Sequence, residues 1–474
     1  NKSALRKGEN DIMKKLFKLL IACVLALAFA VSAAGCGEIK RGGEITRDEY
    51  DVNLTLPASY QGEIKVLRPD NEVEEKILNA LIKGFNEKYP LIKVTTNLLS
   101  MDSYNATVMR QFEAEVLADI LWTDSAKYYF LVANGIALNL DAYLDAAKAQ
   151  GVFDYEQDFT DEAKKMGKYG EYLFAVPRTC DSVITFYNKE ILGAAGVDMS
   201  VLKNGWTWDE FLGVCQKVRD YYDAQGKKNY YPIDANLNWE SVGYPIIKSL
   251  GGEVINSDGK FALTEEVNQK VSDFIKVLVD RRFVASKNDS VSSFEGGSGA
   301  LLFQSATIDK FENLAVTRGK FDVCSFPLIN GENSAIGHGF AGYAVNRKLK
   351  DEPKKLEAAL AFMAYLMSED GQQIIAKEGG LTLPSIRSGL SQENPDAIWH
   401  KEYTEKGFNV AAYAYGSQYK TDLDFIGYID PIFASDVVSA IRTYVGSYAV
   451  KETPANALKY FKADIDDAFN SVVE

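Results

Sequence analysis

Residues 63–95 read EIKVLRPDNEVEEKILNALIKGFNEKYPLIKVT. Ile64-Lys65-Val66-Leu67 is a short strand ending at Arg68-Pro69. Val73, Ile77, Leu81 and Phe85 then recur every four residues, which places them on one helical face. Pro90 follows, and Ile92-Lys93-Val94-Thr95 alternates as a second strand. Strand, helix and strand in this short compass predict a βαβ unit, and hence a parallel sheet.

The pattern continues outward from this unit. Ala118 to Trp122 is a short apolar strand leading into Thr123-Asp124-Ser125. Thr207 and Glu210 have capping-box spacing and open a helix with the apolar face Phe211, Cys215, Val218 and Tyr222, ended by Gly226. Further helical faces run Val267, Val271, Phe274, Leu278, then Leu356, Leu360, Met363, Met367, and last Leu458, Phe461, Ile465, Phe469. Strands recur near 183–187, 300–303, 323–326 and 342–345. Alternating elements over this length predict an α/β fold in two lobes. No internal repeat or low-complexity tract is found.

The opening of the chain reads differently. Met13-Lys14-Lys15 through Lys18 is basic, and residues 19–31 are nearly uncharged, the length of a signal-peptide core rather than of a bilayer span. Ala33-Ala34-Gly35-Cys36 resembles a bacterial lipoprotein cleavage box, in which the cysteine is lipidated and becomes the mature N-terminus. Residues 1–35 are therefore expected to be removed, with 1–12 lying upstream of the natural start. Residues 36–60 are polar and bear glycines, and read as a tether. The address this implies is the outer face of a bacterial membrane.

Composition narrows the functions. The whole chain carries 52 Lys and Arg against 66 Asp and Glu, and removing 1–35 takes away six and two of these, which leaves a formal charge of −18. Such an acidic protein is repelled by nucleic acid phosphates and by anionic lipid. Cys180, Cys215 and Cys324 have neither disulfide nor metal-site spacing and read as small buried hydrophobes. The two histidines, His338 and His400, lack partner motifs for a Ser–His–Asp site. No nucleophile elbow, phosphate loop or EF-hand loop occurs. Glu295-Gly296-Gly297-Ser298-Gly299 lacks the Lys-Ser/Thr of a phosphate cradle and reads as a loop. No cofactor, catalytic residue or metal site is predicted, although paired carboxylates of a secreted carbohydrate-active enzyme stay open among so many acids.

Polar and aromatic residues cluster instead in loops at strand ends, where open α/β sheets bind ligands. Asp70 and Asn71 follow the first strand, and Trp122 and Asp124 the third. Arg178 and Asp181 follow Phe174-Ala175-Val176-Pro177. Trp239 and Glu240, with Tyr244 beyond them, open a helix, and His338 to Phe340 precede a late strand. Singly, each would serve as well as a helix cap or a core ring. Together they predict one pocket, with rings to stack on sugar C–H faces and polar groups for the hydroxyl rim.

Leu173 to Pro177, then VITFYNK at 183–189, ILGAAGV at 191–197 and WTWDEF at 206–211 form a continuous run. It resembles the signature of family 1 extracellular solute-binding proteins, the sugar-capturing components of ABC importers. Cys324 to Pro327, Gly339 to Asn346, the Phe362 to Gly380 helix pair and Leu383-Pro384-Ser385 agree with it, so the resemblance spans roughly 62–390. It implies two lobes of a periplasmic-binding-protein-like fold (type II) joined by hinge crossings, with the ligand cleft between them. Matching positions put crossings near Pro177–Arg178, Phe303–Gln304 and Lys348. The first lobe would hold 61–177 with 304–348, and the second 178–303 with 349–474. The resemblance further implies that Asp70, Asn71, Trp122, Asp124, His338 and Phe340 face the cleft from the first lobe. Trp239, Glu240 and Tyr244 would face it from the second, with Arg178 and Asp181 at the hinge. Arg178 departs from the family's pattern and would offer a counter-charge to an acidic sugar. The implied partners are a carbohydrate, permease subunits and, through the lipid, the membrane, for a monomeric, non-enzymatic receptor. A non-sugar solute on the same fold is the rival within the binding class.

Overall fold

The computed structural model describes residue 45 and residues 47–234, 237–285, 290–305, 308–379, 383–389, 401–421 and 423–470. Cys36, the signal segment and most of the tether lie outside them. From the amino end the described chain gives β1 (Gly62–Pro69), α1 (Glu72–Lys88), β2 (Ile92–Leu99), β3 (Ile120–Asp124) and α2 (Asp141–Ala149). A small hairpin, β4 (Lys168–Tyr169) with β5 (Tyr172–Leu173), precedes β6 (Ala175–Ser182) and β7 (Ile184–Asn188). Then come α3 (Trp208–Ala224), β8 (Ile233–Asp234), α4 (Glu240–Ser249), α5 (Glu265–Asp280), β9 (Leu301–Gln304) and β10 (Phe321–Ser325). The chain continues with β11 (Ile336–Val345), α6 (Pro353–Leu366), α7 (Glu369–Gly379), β12 (Leu383–Pro384), β13 (Lys420–Thr421), α8 (Ala434–Thr443) and α9 (Pro454–Asn470).

The βαβ unit forms as its pattern dictates. β1 and β2 pair in parallel from Gly62↔Ile92 to Pro69↔Leu99, and α1 buries Ile77, Leu78, Leu81 and Phe85. Val73, the expected first member of that face, is exposed in the opening turn. Asn71 caps α1 by accepting from the Glu74 N–H at 2.8 Å, a bond that satisfies one of the orphan donors of the first turn. The capping box at Thr207–Glu210 is present at α3. α5, α6 and α9 form where the sequence places them, but part of each expected face shifts: in α5 Ile275 is buried in place of the expected Phe274, and in α9 Ala457 and Ala468 are buried in place of the expected Leu458 and Phe469.

Two sheets carry the lobes. The larger is seven-stranded, with path β12-β6-β11-β3-β1-β2 and β13 joined to β11. The smaller is four-stranded, in the order β10-β7-β9-β8. Val183 alone separates β6 in the first sheet from β7 in the second, so the outward crossing is one residue long. The return runs between Ser325 and Ile336, because β10 pairs antiparallel with β7 and its Phe321 and Val323 fill the second core.

The expected lobe boundaries are thereby corrected. Residues 301–325 belong to the second sheet, and the return lies beyond Phe303–Gln304. α6 and α7 belong with the first sheet and not the second lobe, for a physical reason. α6 buries Leu356, Ala359, Leu360, Phe362, Met363 and Leu366 around its whole circumference; a helix apolar on all sides needs partners on all sides. β1 and the aromatic stack of Phe85 on Phe362 and Tyr365 supply them. The described chain rejoins the second lobe at Lys401, where Tyr403 and Phe408 pack toward Phe321.

The tether is corrected as well. Residues 47–56 lie on the first lobe as an extended strap in which Asp48, Val52, Leu54 and Leu56 are buried and the residues between them largely exposed. Gln150 of the segment after α2 clamps the strap twice, donating from Nε2 to the Val52 carbonyl at 2.8 Å and accepting from the Leu54 N–H at 2.8 Å. Asp48 accepts from the Asn139 N–H at 3.1 Å and pairs with Arg347 at 2.8 Å. Burying an apolar side chain of this size contributes about 1.5–3 kcal/mol, so three of them together with these polar bonds hold the segment down. Among the described residues no helix is long and apolar enough to cross a membrane.

Candidate functional site

A cavity of about 270 Å³ opens where the two lobes meet, and the crossing residue Val183 is part of its wall. The first-lobe wall is the end of β3 and the turn after it. Trp122 is 8% exposed and its Nε1–H has no acceptor among the described residues, while its carbonyl accepts from the Tyr104 hydroxyl at 2.7 Å. Burial, and after it the nearby Asp124 carboxylate, raises Tyr104 far above the ordinary phenol range, which keeps that hydroxyl a donor. Asp124 shapes the turn: Oδ1 accepts from the N–H groups of Ala126 at 3.0 Å and Lys127 at 2.8 Å, and Oδ2 meets Lys127 Nζ at 3.2 Å. Asx turns of this kind are a local choice of backbone by a short polar side chain.

β11 adds the next part of the wall. Ser125 Oγ accepts from the Phe340 N–H at 2.8 Å, and Phe340 packs against Tyr128 with ring centroids 5.5 Å apart. His338 is buried and faces the same cavity. Glycine is required at Gly337, because a Cβ there would lie 1.7 Å from the Ser241 carbonyl oxygen. That close approach seats the first turn of α4 on β11.

The second-lobe wall is the start of α4, where Trp239 is half-buried at the cap position and Glu240 follows it. Glu240 Oε2 accepts from Arg442 Nε at 2.8 Å and lies 2.7 Å from Nη2. Arg442 is the penultimate residue of α8. Beyond α8 the chain makes a π turn at Tyr444–Tyr448, in which a Cβ at Gly446 would stand 2.6 Å from the Asn238 Cβ. Only glycine allows this helix to press on the loop that presents Trp239.

Six of the residues expected from sequence thus meet at one cavity, namely Trp122, Asp124, Trp239, Glu240, His338 and Phe340. The others are placed elsewhere. Asn71 is engaged as the α1 cap, and Asp70 is exposed beside it at the carboxyl end of β1. Tyr244 is buried in the second lobe, where its hydroxyl donates to Asp424 at 2.5 Å and its ring meets Phe425. Arg178 does not line this cavity. A bulge at Ala341/Gly342 turns it into the first-lobe core, where it pairs with Glu74 at 2.5 Å, both side chains less than a tenth exposed. A residue so placed is no counter-charge for an acidic sugar. Asp181 pairs with Gly339 through the backbone, and its side chain lies outside the described residues.

Sequence reasoning missed Lys127, Ser125, Ser241, Ser305 and Arg442. The first three stand beside residues it found, and adjacency was the available signal. Arg442 carries none, since a cation on a helix of ordinary pattern is most often a solvated one. Cys180, Cys215 and Cys324 are buried in the core, and burial pushes the thiols of Cys215 and Cys324 well above their ordinary range. Among the described residues no three His, Cys, Asp or Glu side chains gather as a metal site.

The fold has well-matched relatives. The ABC substrate-binding protein Lmo0181 of Listeria monocytogenes, solved with cycloalternan, superposes with a TM-score of 0.69 at 20% identity, over 86% of this chain and 99% of that one. The GacH receptor of Streptomyces glaucescens, solved unliganded and with acarbose, gives 0.66 at 21% identity, over 87% and 98%. The MalE domain of Bdellovibrio bacteriovorus, bound to maltotriose, gives 0.66 at 16% identity, over 86% and 100%. No curated protein sequence matches the chain. The family model for bacterial extracellular solute-binding proteins matches residues 69–373, and with the two-lobe fold around one cavity it identifies the chain as a member of that family.

Proposed function

We propose that the protein captures a carbohydrate outside the cytoplasm and delivers it to the permease of an ABC importer. One observation carries the reading: an indole from each lobe, Trp122 and Trp239, meets the same cavity, whose wall also carries the hydroxyls of Ser125, Ser241 and Ser305 and two pairs of opposite charges among small and apolar residues. Aromatic faces suit the C–H faces of a sugar ring, and ion-paired groups with N–H donors to spare suit its hydroxyls. The sugars held by the structural relatives support the same class. A ligand that touches both walls binds the closed arrangement more tightly than an open one, so occupancy shifts the lobes toward closure, the form a permease would recognise. The reading is of a binder and not a hydrolase. Among the described residues Asp124 and Glu240 are the carboxylates at the cavity, and each is ion-paired with a cation of its own wall, an arrangement that suits polar contact with a sugar better than the paired acid and base of a glycosidase.

The receptor is lipidated at Cys36, a reading that rests on the basic, apolar and small-residue order ahead of that cysteine. The test is calorimetry and thermal denaturation with a saccharide panel. At least one saccharide should raise Tm and titrate with one-to-one stoichiometry, with no new reducing ends after prolonged incubation. Released reducing ends would turn the assignment to an enzyme, and a flat panel would remove the carbohydrate reading.

A further inference from the structure

The charges of the cavity wall define the kind of sugar it admits. Among the described residues the wall carries four charged side chains, and they form two closed pairs, Asp124 with Lys127 and Glu240 with Arg442. Each pair lies within one wall, so neither depends on the opposite lobe. The Arg442 side chain is 47% exposed against 11% for Glu240, which makes Arg442 the member that reaches the ligand space. Glu240 meets its Nε and Nη2 edge, and a guanidinium carries more N–H donors than this one carboxylate oxygen engages. On the facing wall Asp124 is held by two backbone N–H groups and Lys127, so it is fixed before any ligand arrives.

We propose that Arg442 is a specificity-determining residue, and that its pairing with Glu240, matched by Asp124–Lys127 across the cavity, restricts the site to uncharged glycans. This rests on the carbohydrate reading above and deepens it. A uronate entering the cavity would lose water and meet no uncompensated cation, with Glu240 and Asp124 both close by. An amino sugar would meet no uncompensated carboxylate. Neutral hydroxyls and ring oxygens take the remaining donors and acceptors of both pairs without adding charge, so uncharged rings alone enter without an unmatched ion.

The pair also acts as a switch in charge preference, and that is how it is tested. Binding of neutral trisaccharides (maltotriose, cellotriose, galactotriose) and of their uronate counterparts is measured by calorimetry on the wild type, Glu240→Gln, Arg442→Gln and the double variant. Glu266→Gln is the control, removing the same charge from an exposed helical pair with Lys270 away from the cavity. The wild type should favour its best neutral sugar over the matching uronate by about tenfold or more. Glu240→Gln exposes the Arg442 cation and should shrink or invert that ratio, Glu266→Gln should leave it unchanged, and the double variant should restore the neutral preference. Should Glu240→Gln fail to fold, the double variant and Arg442→Gln carry the test, since both must still exclude uronates.

A wild type that binds a uronate as tightly as the neutral sugar overturns the proposal while leaving the carbohydrate reading intact. An unchanged ratio in folded Glu240→Gln does the same. A wild type that binds nothing in either series overturns both.

Discussion

The pair of Glu74 and Arg178 offers the sharpest test of how the first lobe is built. Glu74→Gln keeps the shape of the side chain and removes its charge, leaving a buried guanidinium without its carboxylate. At the observed 2.5 Å, the direct attraction is about 7 kcal/mol for an effective dielectric of about 20. Desolvation of both ions offsets much of this, and breaking one partner of such a pair costs about 3–5 kcal/mol. With a urea m-value of about 3 kcal/mol/M, the midpoint should fall by about 1–1.7 M at unchanged slope. Arg178→Gln should cost less, because a carboxyl left alone can take up a proton whereas a guanidinium cannot lose one. Glu74→Leu combined with Arg178→Met should recover most of the loss, since well-packed apolar groups replace buried ion pairs at little cost. Sugar affinity of the folded fraction should not change in any of the three. A Glu74→Gln protein as stable as wild type refutes the argument, and so does an Arg178→Gln protein of normal stability that no longer binds its sugar.

Three further outcomes follow from the geometry. Trp122→Phe keeps a ring at the cavity but shrinks the aromatic face, and removes a buried indole N–H that has no acceptor among the described residues; affinity should fall about 2- to 10-fold by calorimetry, with stability nearly unchanged. Gly337→Ala places a Cβ on the Ser241 carbonyl and should lower both Tm and affinity, whereas Gly151→Ala, where the added Cβ meets nothing, should cost only the strain of its positive φ, leaving binding alone. Burial raises the folded-state pKa of Asp119 above its ordinary 3.8, against the opposing Lys65 N–H and Lys355. The native state therefore holds that proton more tightly than the unfolded chain. The linked stability is full below the ordinary value and is lost as pH rises through the raised one. Urea melts across that window should show the wild type losing stability relative to Asp119→Asn, and a gain with rising pH would contradict the assignment.

Much of this molecule could be read from its sequence, and what could not has identifiable causes. Period and capping revealed α1, α3, α5 and α9, because each buries a stripe whose spacing survives in the residues, whereas the period marked only part of what α6 buries. Chain order does not tell which sheet an element joins. β10 and β11 are neighbours in sequence and alike in apolar content, yet one pairs with β7 and the other with β6 and β3. Loops at strand ends located Trp122, Asp124, Trp239 and Glu240 for the cavity. The same rule also selected Arg178, whose orientation is decided by a one-residue bulge that no periodicity records. Arg442 was invisible for the converse reason: its role comes from the packing of α8 beside α4, a contact between segments some two hundred residues apart.

The strap at 47–56 has a mechanical consequence. Tension on the chain upstream of Arg47 enters the protein along an extended segment gripped by Asp48, Gln150 and the apolar residues between them. All of these grips are to the first lobe, at the segments around 139–150 and 346–357, and none involves Val183, the cavity or the second sheet. Load is borne in shear along one lobe and bypasses the pivot. In a protein held from its amino end, a constant pull would therefore leave the arrangement of the two lobes around the cavity unbiased.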